Sequence, residues 1–316
     1  MNIIFKTFAA ASVIAFSCSA SAQVPAINII VPSTVGGSTD KVARLVAPEF
    51  SKELGVPVVV INRPGASGTI GAAAIAKAKP DGQTIGITFD SQATNHLMFK
   101  NLSYDTFKSF EYVTLLVSSP HLLVTGKDYK NFKELIDAAK VAPDRISFGS
   151  TGLGTSNHLY PLMLGQEAGV SFLPVPYQGG SGTYLADMLA GRFDFSSGSP
   201  AFFISQIQAG KLRPLATGGL KRSAMFPDVP TIAESYPGFE ASSWIGVIAP
   251  AGLSKEISEK YRLAFKKAIE SDPLKTRLLD EGFVLEGSTG QEFMEMVRKS
   301  SDKFKKIIDE YKLADQ

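Results

Sequence analysis

Val31-Pro32-Ser33-Thr34-Val35-Gly36-Gly37-Ser38-Thr39-Asp40 joins an apolar run over residues 26–31 to a helical pattern over 39–54. A strand that turns directly into a helix leaves the first helical amides without internal partners. They point outward with the positive end of the helix dipole. Gly36 and Gly37 let the backbone come close to whatever lies above the turn. Such a turn can hold an anion through Ser33, Thr34, Val35, Gly36 and Gly37 without a charged side chain. The device recurs at Ser150-Thr151-Gly152-Leu153-Gly154-Thr155-Ser156-Asn157-His158, between a strand ending at Gly149 and another helix. Facing each other, the two turns would form a two-sided anion clamp.

Strand and helix patterns alternate along the chain. Apolar runs 27–31, 56–61 and 84–89 read as buried parallel strands. Helices over 39–54 and 68–77 separate them, closed by Gly55 and by Pro80-Asp81-Gly82, with Pro48 expected to kink the first. Further strands are expected at 111–117, 121–124, 145–149, 172–176, 193–196 and 212–217, and helices at 131–142, 155–168 and 183–190. From Ser254 onward the pattern is mostly amphipathic helix. This is an α/β fold with mostly parallel sheets.

Ligands in such folds sit beyond the carboxyl ends of the strands. That rule gathers four loops, 33–39, 90–95, 150–157 and 177–183. It makes Ser91, Gln92, Ser150, Thr151, Gly152, Gly154, Thr155, His158, Tyr177 and Gln178 candidate ligand contacts, and Asp194 is expected to face the cleft after its strand. Two loops fall in each half, and the length exceeds a single core, so two lobes with a cleft between them are expected. Without a flexible linker, crossing strands near 117–123 and 217–244 would join them. The expected layout is a signal peptide over 1–22, a first lobe over 23–120, a second over 121–240, and a return to the first over 241–316.

Lys6, the apolar stretch 8–16 and Ala20-Ser21-Ala22 read as an export signal cleaved after Ala22, which places the mature chain in the periplasm. The stretch is far shorter than the roughly 20 residues of a membrane span. A lipid-modified Cys18 is the rival reading, but Ala15-Phe16-Ser17 before it lacks a branched residue. Cleavage removes this sole cysteine, so no disulfide or thiol chemistry is expected. The 32 basic and 30 acidic residues give a net charge of +2 with no basic block, which argues against nucleic acid.

His96, His121 and His158 are scattered without metal-ligand spacing, and no metal or other cofactor is expected. Asn157 stands where a dinucleotide fingerprint needs its third glycine, and Gly-Lys-Ser or Gly-Lys-Thr is absent. An exported hydrolase would want a Gly-x-Ser-x-Gly elbow, and the chain has none, so no enzyme is expected. Arg63 and Trp244 read as structural residues.

Several short motifs, in order, resemble the substrate-binding proteins of tripartite tricarboxylate transporters, the Bug (Bordetella uptake gene) family. They are Val31-Pro32 with Gly36-Gly37-Ser38-Thr39-Asp40 and Ala43-Arg44, then Asn62-Arg63-Pro64-Gly65-Ala66 with Gly68 and Gly71. Pro80-Asp81-Gly82, Tyr104-Asp105 and Ser150-Thr151-Gly152-Leu153-Gly154-Thr155 follow. Pro176-Tyr177 with Asp187, Leu189-Ala190-Gly191 and Asp194 come next, then Pro227-Asp228-Val229-Pro230-Thr231 and Ala249-Pro250-Ala251-Gly252.

The resemblance covers nearly the whole mature chain. It implies a type II periplasmic binding fold of two α/β lobes joined by crossing strands. It also implies that loops 33–39 and 150–155 grip a ligand carboxylate, partly through ordered waters. A monomer delivering a small organic carboxylate to a membrane permease is the expected function, with a ligand-presenting sensory partner as the alternative. Many relatives carry an aromatic residue after Val-Pro, where this chain has Ser33, which leaves room for a larger or more polar ligand.

Overall fold

A computed structural model describes residues 25–177 and 181–314. The strands are β1 (Ile27–Val31), β2 (Val58–Asn62), β3 (Thr84–Phe89), β4 (Phe110–Pro120), β5 (Leu122–Thr125), β6 (Ser147–Ser150), β7 (Leu173–Pro176), β8 (Phe195–Gly198), β9 (Arg213–Thr217), β10 (Ser242–Pro250) and β11 (Val284–Leu285). They form two sheets, in the orders β11-β4-β10-β3-β1-β2 and β7-β6-β8-β5-β9. In the first, β1 pairs in parallel with β2 and β3, while β10 runs against both β3 and β4. In the second, β6 pairs in parallel with β7 and β8, and β5 runs against β8 and β9. The α/β architecture of two mostly parallel sheets expected from the alternation is therefore present. The reversed strands are β5 and β10, which adjoin the crossings, and the two-residue β11, which runs against β4.

Local chemistry explains most of the boundaries. Helix Ser38–Leu54 ends at Gly55, whose φ of 68° is the left-handed C-cap glycine readily adopts. Pro57 cannot donate to a ladder, and β2 starts after it rather than at residue 56. Pro48 does not break its helix. It lies on the exposed face, as does Arg44 one turn earlier, so water can satisfy the carbonyl that Pro48 leaves unbonded.

The chain passes from the first sheet to the second in one residue, His121, between β4 and β5. The return segment lies alongside it. His121 donates its amide to the Ala241 carbonyl at 2.9 Å and accepts from the Gly218 amide at 2.7 Å. Ala241 N–H in turn donates to Gly218 O at 2.9 Å, and a Cβ on Gly218 would stand 2.3 Å from the Ala241 carbonyl oxygen.

Helix Gly290–Glu310 serves both cores. Phe293 and Val297 pack with Tyr112 and Trp244, while Phe304, Ile307 and Ile308 pack with Phe148, Leu159 and Tyr160. Phe293 seats against β10 because Gly246 has no side chain: a Cβ there would lie 2.3 Å from the Phe293 ring and 2.9 Å from the Thr114 carbonyl. Gly246→Ala is expected to cost about 1–3 kcal/mol by overpacking. Thermal unfolding should show Tm lowered by several degrees, and an unchanged Tm would disprove this packing.

Candidate functional site

The two glycine turns face each other across a cleft of about 640 Å³. On one side, Ser33, Thr34 and Gly37 line it with Ser38 and Thr39; on the other, Thr151, Gly152 and Thr155 line it with Ser156 and Asn157. Helix Ser38–Leu54 starts at N-cap Gly37, and its first internal bond runs from the Lys41 amide to the Gly37 carbonyl at 2.9 Å. Helix Ser156–Ala168 starts the same way at N-cap Thr155. Each turn thus brings a positive helix end to the cleft.

Both turns are held in shape by side chains beneath them. In the first, the Asp40 carboxylate accepts from Gly36 N–H at 2.9 Å, Asn62 Nδ2 at 2.8 Å and Arg44 Nε at 3.0 Å, and Asn62 also donates to Ser33 O at 3.1 Å. Burial raises the Asp40 pKa, but these donors outweigh it and hold the carboxyl below its ordinary value. In the second, Thr155 Oγ1 donates to Gly152 O at 2.6 Å, and Gly154 N–H donates to His158 Nδ1 at 3.3 Å. His158 is fully buried, and burial pushes its pKa down to about 4, so it braces the loop as a neutral ring.

The structure does not bring every candidate to the cleft. Val35 points to solvent at 67% exposure, and the Gly36 amide is taken by Asp40. Ser91 is buried, with its hydroxyl donating to Ser67 O at 2.8 Å; Gln92 and Ser150 are buried as well. Gly154 lies behind the loop surface against Met98. Tyr177 donates its hydroxyl to Asp187 at 2.9 Å, away from the cleft, and Gln178 lies outside the described residues.

Asp194, expected to face the cleft, does not. Its strand starts at Phe195 rather than at residue 193, so Asp194 precedes the strand and sits at the end opposite the cleft. There it accepts from Lys127 Nζ at 2.8 Å, Tyr129 Oη at 3.0 Å and the Ser147 amide at 2.8 Å.

Other residues complete the site. Ser67 Oγ donates to the Leu153 carbonyl at 2.9 Å, and Thr94 Oγ1 to the Gly154 carbonyl at 2.7 Å, so the second turn is latched to the first lobe. Trp244, expected to be structural, is 5% exposed and also lines the cleft.

At the cleft's inner end, buried Asp90 is hydrogen-bonded by the Ser156 hydroxyl and the Ser91 backbone. Ser156 Oγ lies 3.2 Å from His121 Nε2, and His121 Nδ1 lies 2.8 Å from Ser197 Oγ. In this order the carboxylate meets the serine and not the histidine, the reverse of a nucleophile, base and orienting acid. Desolvation by burial, with a smaller push from the Lys303 charge, depresses the His121 pKa to about 3, which makes it a poor base. Burial lifts that of Asp90 to about 6 against its two hydrogen bonds. Among the described residues, no group of acidic, histidine or cysteine side chains has the makings of a metal site, and no helix is long and apolar enough to cross a membrane.

The family model described as "Tripartite tricarboxylate transporter family receptor" matches residues 42–313. Protein BugT of Bordetella pertussis is 34% identical over 83% of this chain and 80% of its own length. The solved periplasmic binding protein BugD superposes with a TM-score of 0.84 at 31% identity, covering 92% of this chain and 99% of that one. An R. palustris protein solved with adipate superposes at 0.85 with 32% identity, covering 90% and 96%.

The buried acid and imidazole have opposite effects on stability. Asp90, raised from 3.8 to about 6, gives the folded chain an extra proton between about pH 4 and 6, so its contribution is lost as pH rises through about 6. His121, lowered from 6.5 to about 3, gives the unfolded chain the extra proton, so its contribution is lost as pH falls below 6.5. Between about pH 4 and 6 the two offset. Asp90→Asn removes only the first, so the variant's stability should climb more steeply with pH than the parent's, by on the order of 2 kcal/mol across that window. Denaturant midpoints at three pH values measure this, and parallel slopes would refute it.

Proposed function

The chain belongs to the tripartite tricarboxylate transporter receptor family, and on that premise we propose that it is a periplasmic receptor for a small organic carboxylate. Its ligand is passed to the membrane permease of such a transporter. The observation that carries this reading is the pair of glycine turns, each opening a helix toward one cleft. The relative solved with adipate supports the same class of ligand. A single copy suffices, because both turns belong to one chain.

In this reading the carboxylate sits between the turns, bonded by amides of residues 37–39, 151–153 and 155–157 and by the Ser33, Thr34 and Thr151 hydroxyls, with ordered waters between. The Ser33 hydroxyl is buried beside the cleft without a protein partner, as a ligand-binding donor would be. Neutral donors suit a carrier that must release what it holds: micromolar affinity is only about −8 kcal/mol. Residues 1–22, outside the described part, act as the export signal, and no catalytic step is assigned.

Gly37→Asp tests the placement. Gly37 is an N-cap with φ −75° and ψ 165°, a conformation aspartate adopts freely, and aspartate is among the preferred caps. Its carboxylate would take up the amides that hold the ligand and repel the ligand's charge. With a bound carboxylate found by a thermal-shift panel, calorimetry should show affinity lowered at least tenfold while Tm of the ligand-free protein is unchanged or higher. Undiminished affinity would move the anion elsewhere.

A further inference from the structure

The rest of the cleft differs in character from the two turns. Phe89, Phe99 and Trp244 line it from the first lobe and its neighbouring loop, and Phe202 and Phe203 from the helix Pro200–Gln208. Phe89, Phe99 and Phe202 are only half-buried, so their rings have free surface. The Phe89 ring rests over Gly68, where a Cβ would lie 3.2 Å away, and Phe202 packs edge-on to Phe203 with centroids 5.1 Å apart. These contacts fix the rings as walls.

Charge is distributed just as unevenly. No lysine or arginine is among the described residues lining the cleft, and Asp90 is its one carboxylate. His121, also lining it, is engaged on both ring nitrogens by Ser156 and Ser197. A ligand's first carboxylate finds the two turns. A second would be buried with no cation to meet it and with Asp90 at the inner end, an arrangement that disfavours its ionised form.

Resting on the receptor reading above, we propose that the preferred ligand is a monocarboxylate with a flat, ring-bearing apolar body, and that Asp90 excludes a second carboxylate. The rings take the body of the ligand by stacking and edge contacts. Asp90 sets the charge of what can fill the inner end.

The test is calorimetry at pH 8 on protein refolded from denaturant to strip any bound ligand. The probes are benzoate, phenylacetate, adipate, malate and the uncharged benzamide. At least one ring monoacid should bind tenfold or more tightly than either diacid. Phe202→Ala should weaken that monoacid at least fivefold, and Asp90→Asn should strengthen adipate at least tenfold and narrow the preference for the monoacid over adipate by as much. Diacids that bind as tightly as the ring acids, with Asp90→Asn without effect on them, would overturn this inference and leave the carboxylate receptor standing. Binding of benzamide alone, or of no acid at all, would overturn both.

Discussion

His121 is the single residue between β4 and β5, and its backbone is committed to the other crossing segment through the Ala241 carbonyl and the Gly218 amide. Its ring is committed too, between Ser156 at the start of the second-lobe helix and Ser197 on β8. One buried residue therefore ties both crossings to the wall of the cleft. An imidazole can do this only while neutral, because serine hydroxyls can donate or accept but cannot compensate a buried positive charge. Burial itself enforces that state, and the Ser156 hydroxyl stands between the ring and the Asp90 carboxyl on its far side.

The two turns show how an anion site can be built without cations. The Asp40 carboxylate looks out of place at a helix start meant to attract another carboxylate. Yet its oxygens are saturated by Gly36, Asn62 and Arg44, so its charge is compensated within the network. What reaches the cleft is a rigid loop with outward amides. His158 does the equivalent beneath the second turn. The charged and ionisable groups nearest each turn thus hold the loop's shape and leave ligand contact to neutral donors.

Much of this was legible in the chain. The turns at 33–39 and 150–157 announce themselves because glycine beside hydroxyl residues between a strand and a helix has few other uses, and strand–helix alternation gives the layer order directly. Asp194 misled because it adjoins the apolar residues Phe193 and Phe195, and periodicity alone does not say which of them starts the strand. A slip of two residues moved its carboxylate to the opposite end of the sheet. Asp90 and Ser156 fall within the loops gathered at 90–95 and 150–157 without being singled out, and Ser67 and Phe202 could not be found at all by such means. Ser67 meets Leu153 across 86 positions of chain, and only the folded topology brings them together. Trp244 was visible but looked like core, which it also is: its ring packs on Phe293 at 5.3 Å while lining the cleft.

The latch and the grip share one loop. Leu153 and Gly154 turn their carbonyls to Ser67 and Thr94 of the first lobe, while Thr151, Gly152 and Thr155 of the same loop line the cleft. Parting the lobes would break those two bonds, each worth about 1 kcal/mol net, with the Ser156–Asp90 bond and that from Lys41 Nζ to the Ala201 carbonyl, and would wet the aromatic walls. Even with the two charge-assisted bonds at about 1.5–3 kcal/mol each, the latch does not exceed the roughly 8 kcal/mol of a micromolar ligand. A ligand bridging both turns can therefore dominate the balance between open and closed lobes, since it bonds to both sides only when they are together. Stronger bonds across the cleft, such as a buried ion pair, would hold the lobes shut with nothing between them. The neutral character of the lining is what leaves the decision to the ligand.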